Sequence, residues 1–223
     1  MELSDDLRAG LEVALNEADF CDLRINERTG EVQLLMVVLT LPEVGPEPED
    51  RRTVLSCEGV SRVLASLRHG RWDDETAPVE ELRLQDLPLT VRSFGSQPIH
   101  GWDFLDLPES GNAAWKRQAS IDFSVGQGRG EHSIDVFQES VAGPPRHLDL
   151  RIEFDELTVR DATGESLELE DFAAGGRRWW AALETSDPRV EGHGITRPES
   201  DSDPGSGPTG SSPPNPDNGE TAH

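Results

Sequence analysis

LDLRIEFDELTVRDATGESLELEDF, running from Leu148 to Phe172, is the stretch that decides the fold. Leu148, Leu150, Ile152 and Phe154 alternate with Asp149, Arg151, Glu153 and Asp155. That is the period of a strand with one buried and one wet face. The apolar parity then slips, because Leu157 and Val159 follow Phe154 by three and five residues instead of two and four. A bulge or tight bend at Asp155-Glu156 restores the inward face. Asp161-Ala162-Thr163-Gly164 reads as a turn, and Leu167 and Leu169 begin a return strand.

A similar grammar occurs earlier in the chain. Cys21, Leu23 and Ile25 alternate up to a turn at Arg28-Thr29-Gly30. Val32 to Leu41 is almost wholly apolar, which predicts a central strand buried on both faces, ended by Pro42 and Gly45-Pro46-Glu47-Pro48. Thr53, Leu55 and Cys57 alternate next, and parity slips at Glu58-Gly59 before Val60. Asp22, Leu23, Ile25, Gly30, Glu31, Leu34 and Met36 match Asp122, Phe123, Val125, Gly130, Glu131, Ile134 and Val136 at an offset of 100. Leu55, Cys57 and Val60 match Ile152, Phe154 and Leu157 at an offset of 97. Two strand–turn–strand–loop–strand units, about 20–65 and 120–165, are therefore expected to cover each other's apolar faces as a sandwich.

An insert of roughly 70–119 separates the units. Leu82, Leu84 and Leu87 suggest a strand or loop there, and Pro88, Pro98 and Pro108 preclude a long helix. Ser4-Asp5-Asp6 can cap an N-terminal helix with Leu7, Leu11, Ala14, Leu15 and Ala18 on one face, although Leu11, Val13 and Leu15 also alternate as in a strand. Phe172, Gly176, Trp179, Trp180 and Leu183 fall at helical spacing, with glycines that permit close docking. Residues 185–223 hold almost no apolar side chain, so they cannot bury enough surface to fold and are expected to be disordered.

Net charge is −24, from 44 acids against 20 bases. The tail from Thr185 holds seven acids and two arginines, which leaves −19 on residues 1–184. Such a surface repels phosphate backbones and attracts basic partners, so nucleic acid is disfavoured. No run of 18 apolar residues predicts a membrane span, and the acidic N-terminus lacks a signal-peptide pattern. A cytoplasmic location with reduced Cys21 and Cys57 is the expectation. No CxxC or other metal-ligand spacing is present, and no cofactor is expected.

Candidate sites are few. Gly126-Gln127-Gly128-Arg129-Gly130 resembles a phosphate loop, but Ile134 and Val136 continue as a strand, so a hairpin turn is the reading. His132 and Ser133 sit on alternating positions and point to opposite faces, which argues against a hydrolase. Arg177-Arg178 before Trp179-Trp180 could stack on a base, yet in so acidic a body they are better suited to neutralise nearby acids. Asp73-Asp74-Glu75 with His69 and His100 offer carboxylate and imidazole for a divalent cation. Gly101-Trp102-Asp103-Phe104-Leu105-Asp106 is the densest aromatic cluster of the body. It either plugs the sandwich or faces a partner.

The unit Leu23-Arg24-Ile25, Gly turn, Val32-Gln33-Leu34, Pro loop, then Leu55 to Val60 resembles acidic, Trp-containing β proteins of high-GC bacteria. It is similar in layout to some all-β immunity proteins of polymorphic toxin systems. That resemblance implies an inhibitor of a basic effector and carries no catalytic residue over.

The sequence thus predicts an all-β fold, with a β-rich α+β arrangement as the alternative, in a single body of residues 1–184. Its predicted role is a non-enzymatic module binding a basic protein through Trp102, Asp103, Phe104, Asp106 and Trp72, an aromatic anchor with an acidic rim. A carbohydrate-binding sandwich using Trp72, Trp102 and Trp115 is the second class. A metal-dependent enzyme using Asp73, Asp74 and His100 is the third.

Overall fold

The computed structural model describes residues 3–74, 76–99, 104–107, 118–140, 143–193 and 195. Most of the expected disordered tail lies outside them. In chain order the elements are α1 (Asp5–Leu15), β1 (Asp19–Asn26), β2 (Glu31–Val37), β3 (Arg52–Glu58), β4 (Arg62–His69), β5 (Val79–Glu80), α2 (Leu87–Arg92), β6 (Gln97–Pro98), β7 (Ile121–Ser124), β8 (His132–Glu139), β9 (Arg146–Phe154), β10 (Glu156–Arg160), β11 (Ser166–Leu167) and α3 (Leu169–Glu184). The fold is β-rich. A six-stranded antiparallel sheet has the order β11-β10-β3-β2-β1-β6, and a five-stranded one places β5-β4-β9-β8 side by side with β7 also on β4. Phe20, Leu34 and Leu55 from the first sheet share one core with Val63, Leu150 and Phe154 from the second. No helix among the described residues is long and apolar enough to cross a membrane.

Both parity slips are corners where the chain changes sheet. β3 pairs with β10 in one sheet, and their continuations β4 and β9 pair in the other. Gly59 to Ser61 lie between the pairs Glu58↔Glu156 and Arg62↔Glu153, against only Phe154 and Asp155 on the opposite strand. One extra residue in one strand is a bulge, which bends the ribbon and increases its twist. The ladder continues round the bend, since Asp155 N donates to Glu58 O (2.9 Å) and Ser61 N to Glu153 O (2.9 Å). Gly59 takes the left-handed conformation (φ 61°) that the bulge needs. Val60 N donates to Gly30 O (2.8 Å), so the β1–β2 turn backs the corner. The Asp155 carboxylate accepts from the backbone N–H groups of Arg129 (2.9 Å), Gly130 (2.8 Å) and Glu131 (3.4 Å).

The helices follow from local chemistry. Ser4 caps α1 by accepting from Leu7 N (3.2 Å), as the sequence predicts. α1 then packs against α3, and a Cβ on Gly176 would lie 2.5 Å from Ala14 Cα. No side chain fits there. Leu169 opens α3 instead of extending a return strand, because Glu168 O accepts from Phe172 N and Glu170 and Asp171 occupy the positive end of the helix. β11 is accordingly only two residues long.

Three further expectations are corrected. β2 alternates buried Val32, Leu34 and Met36 with half-buried Gln33, Leu35 and Val37. The strand buried on both faces is β4, from Val63 to Leu67, because β9 and β7 flank it and the segment 118–120 lies over its outer side. Gly126–Gly130 is not a hairpin turn, for β7 pairs with β4 while Leu105 bridges to Ile134 on β8. Packing also extends past residue 184: Val190 is buried, and His193 Nε2 lies 2.7 Å from Glu47 Oε2.

Two outcomes test the corner. A Cβ on Gly128 would stand 1.6 Å from Gly59 O, so Gly128→Ala should lower the urea-unfolding free energy by about 3 kcal/mol or more. Backbone donors hold the Asp155 carboxyl below its ordinary 3.8, so its contribution is present above that pH and lost as pH falls through the folded value. The stability gap between wild type and Asp155→Asn should therefore be full at neutral pH and close in acid.

Candidate functional site

The outward face of the five-stranded sheet gathers the least ordinary chemistry of the body. Strand alternation places Arg62, Leu64, Ser66 and Arg68 of β4 beside Glu153, Arg151, Asp149 and His147 of β9. Ser133, Asp135, Phe137 and Glu139 of β8 lie across from the same β9 residues. This face was expected to be wet. Instead Arg151 is 4 % exposed and His147 is fully buried. The cause is tertiary: two insert segments cross the face. Ser66 Oγ donates to Gln118 O (2.7 Å), Ser120 N to Ala65 O (2.8 Å), and Arg151 Nη2 to Leu107 O (2.8 Å).

Burial then sets the electrostatics. Arg151 also donates to Ser133 Oγ (2.8 Å) and stands 3.8 Å from Asp135. Among the described residues its Nε and Nη1 find no hydrogen-bond partner, nor does Asp135 Oδ2. Desolvation pushes the Asp135 carboxyl up to about 6, against the pull of Arg151. Desolvation also raises Asp149, which Arg68 Nη2 offsets at 2.5 Å. His147 Nδ1 lies 3.2 Å from Gly70 O. A carbonyl only accepts, so Nδ1 carries the proton and Nε2 is bare. Burial, then Arg68, holds this imidazole below its usual range.

Beside this cluster opens a cavity of about 490 Å³ lined by Arg68, Trp72, Phe137, Glu139 and Asp149. Trp72 is 60 % exposed, and Phe137 leans on the His147 ring at 5.9 Å. A second hollow of about 450 Å³ lies between the loop after β2 and α3, where Leu41, Pro42, Leu167 and Phe172 meet. Two of its arginines are internally engaged, Arg178 with Leu41 O (2.9 Å) and Arg52 with Asp50 (2.9 Å).

Of the expected interaction residues, Trp72 is the accessible one among those described. Trp102 and Asp103 lie outside the described residues, as do Trp115, Glu75 and His100. Phe104 is a correction: it is 1 % exposed and belongs to the core, because its segment runs along β8, where Asp135 N donates to Phe104 O (2.7 Å). Asp106 is half-buried and turned inward, accepting from Ser133 N (2.9 Å) and lying 3.1 Å from His132 Nδ1. The side chains of His132 and Ser133 engage different partners, Asp106 and Arg151. Asp73 is tied to Arg71 and Asp74 to Thr76, and His69 lies 2.6 Å from Glu80. No group of three or more metal-ligating side chains occurs among the described residues. Arg177 donates to Asp6 O (2.6 Å), and Trp179 is fully buried.

Comparison with family models, curated proteins and solved structures finds no match. The site stands on its geometry. Glu139, Arg68 and Asp149 were missed as site residues because a polar residue on a strand's outward face ordinarily signals solvent, and Phe137 because a lone aromatic on that face carries no local sign of a cavity.

The Asp135 carboxyl carbon should titrate by NMR with a midpoint near 6, and Arg151→Met should move that midpoint higher. A raised acid stabilises the fold at low pH, so stability should fall as pH rises from 3.8 through 6.

Proposed function

We propose that this protein is a non-enzymatic interaction module for a basic protein partner. An inhibitor or immunity role against a basic effector is its most concrete form. One observation carries the reading: arginines are consumed locally while carboxylates stay in excess. Arg71 pairs with Asp73 (3.1 Å), Arg83 with Asp86 (2.7 Å), Arg92 with Asp22 (2.9 Å), Arg129 with Glu131 (3.0 Å) and Arg189 with Asp187 (2.9 Å). Each pair cancels its own field over a short distance. With 44 acids against 20 bases, the uncompensated charge that reaches solvent is negative. Exposed Glu43, Glu49, Glu81 and Glu170 belong to that excess. Such a surface steers cationic partners and repels phosphate backbones.

The matching paths of β2-β3-β4 and β8-β9-β10, each a hairpin followed by a strand in the other sheet, support a duplicated scaffold. Free thiols at Cys21 and Cys57 fit a cytoplasmic location. A carbohydrate-binding role draws on exposed Trp72 beside the Arg68–Asp149 pair and is the second reading.

Affinity capture with the full chain from its host should return a stoichiometric basic protein. With both proteins purified, the association rate should fall about tenfold or more between 50 and 300 mM salt. Failure to capture such a partner, or an association rate indifferent to salt, would sink the reading.

A further inference from the structure

Resting on the reading above, we propose that the cavity of Arg68, Trp72, Phe137, Glu139 and Asp149 receives an arginine side chain of the basic partner. Its walls and its charges point to that one group. Trp72 and Phe137 supply two aromatic side chains, one largely exposed and one held in place by the His147 ring. Aromatic faces attract cations, and a flat guanidinium stacks on them better than an ammonium does.

The charge balance singles out Glu139. Arg68 is committed to Asp149 at 2.5 Å and to Gln118 Oε1 at 3.2 Å, so this cation is compensated from within. Arg71, which follows the same strand, is tied to Asp73. The Glu139 carboxylate interacts through space with Arg71 and His147, but among the described residues no hydrogen bond or close ion pair holds it. It is half-buried at the rim of the cavity, opposite His147 in the β8–β9 register. His147 is neutral, since burial and Arg68 both oppose its protonation, so it does not compensate Glu139. The cavity therefore holds one more negative than positive charge and two aromatic walls. An arginine entering it pairs its two-pronged N–H edge with Glu139 while its plane lies against Trp72. The volume, about 490 Å³, is within the range of pockets that enclose small ligands. The negative field of the whole body favours the same occupant over a neutral sugar.

The test uses the full chain at low salt and two probes, N-acetylated hexa-arginine and hexa-lysine. Calorimetry gives affinity, and the indole N–H resonance assigned through Trp72→Phe reports on the cavity. Hexa-arginine should bind about threefold or more tighter than hexa-lysine and shift the Trp72 resonance. Trp72→Ala and Glu139→Gln should each weaken hexa-arginine about three- to tenfold. Both positions lie at the surface or its edge, so the fold should survive. Glu43→Gln, on the exposed loop between β2 and β3, should change affinity less than about twofold, as for a distant screened charge. If the cavity variants weaken binding no more than Glu43→Gln does, the cavity assignment is overturned while charge-driven partner binding stands. If the wild type binds neither peptide, both fall. A neutral-sugar panel that shifts the Trp72 resonance where hexa-arginine does not would overturn the assignment in favour of carbohydrate.

Discussion

The backbone hydrogen bonds from Asp155 to Glu58 and from Ser61 to Glu153 carry one antiparallel ribbon from the six-stranded sheet into the five-stranded one. The rest of the body is arranged around that bend. The ribbon keeps its ladder through the corner, so neither sheet has an open edge where they separate. A single extra residue supplies the bend, and left-handed Gly59 makes it sterically allowed. Two other segments converge there: the Gly30 turn and the Gly126–Gly130 connection, the latter capped by the Asp155 side chain. Gly30 O accepts from Val60 N and Ser61 O from Val125 N, so these backbone groups of the bend are paired.

The helices close the core by a different device. α1 and α3 approach so closely that Gly176 has no room for a methyl group against Ala14. Such an approach lets Leu11, Leu15, Phe172 and Ala173 join the cluster shared by both sheets. The far side of α3 is held by hydrogen bonds, with Arg178 on Leu41 O and Trp179 Nε1 on Glu47 Oε1 (3.0 Å). Glu47 also meets His193, and Arg51 Nη1 lies 3.1 Å from His193 Nδ1. An arginine only donates, so the Nδ1 of His193 is the acceptor and its Nε2 donates to Glu47.

Charge plays two roles in this molecule. At the surface, short-range arginine pairs cancel locally and contribute little to stability. On the outer face of the five-stranded sheet the insert segments exclude water, and the same residue types become costly there. Asp135 and Asp149 are raised, His147 is held neutral, and Arg151 keeps two nitrogens without a hydrogen-bond partner among the described residues. In so dry a setting each charge depends on its neighbours, because an unpaired buried charge is costly. The cavity lies at the edge of that face.

Much of the scaffold was legible in the chain. The period of two at Leu148–Phe154, the two slips, the turn at Gly30, the Ser4 cap and the helical spacing of Phe172 to Leu183 are all local rules, written in neighbouring residues. The candidate site was not legible beyond Trp72. Arg151 and Asp149 read as solvent residues because alternation says which face a side chain takes, not what lies over that face. Phe104 read as either a plug or a partner-facing residue because nothing local reveals that its segment would run along β8. By itself the sequence determined the alternating strands that flank the two slips, the slips themselves and the surplus of negative charge. Only the tertiary structure decided which strands pair, which polar face is roofed over and where a cavity remains. Those outcomes depend on residues far apart in the chain competing for the same sheet edges and the same buried volume.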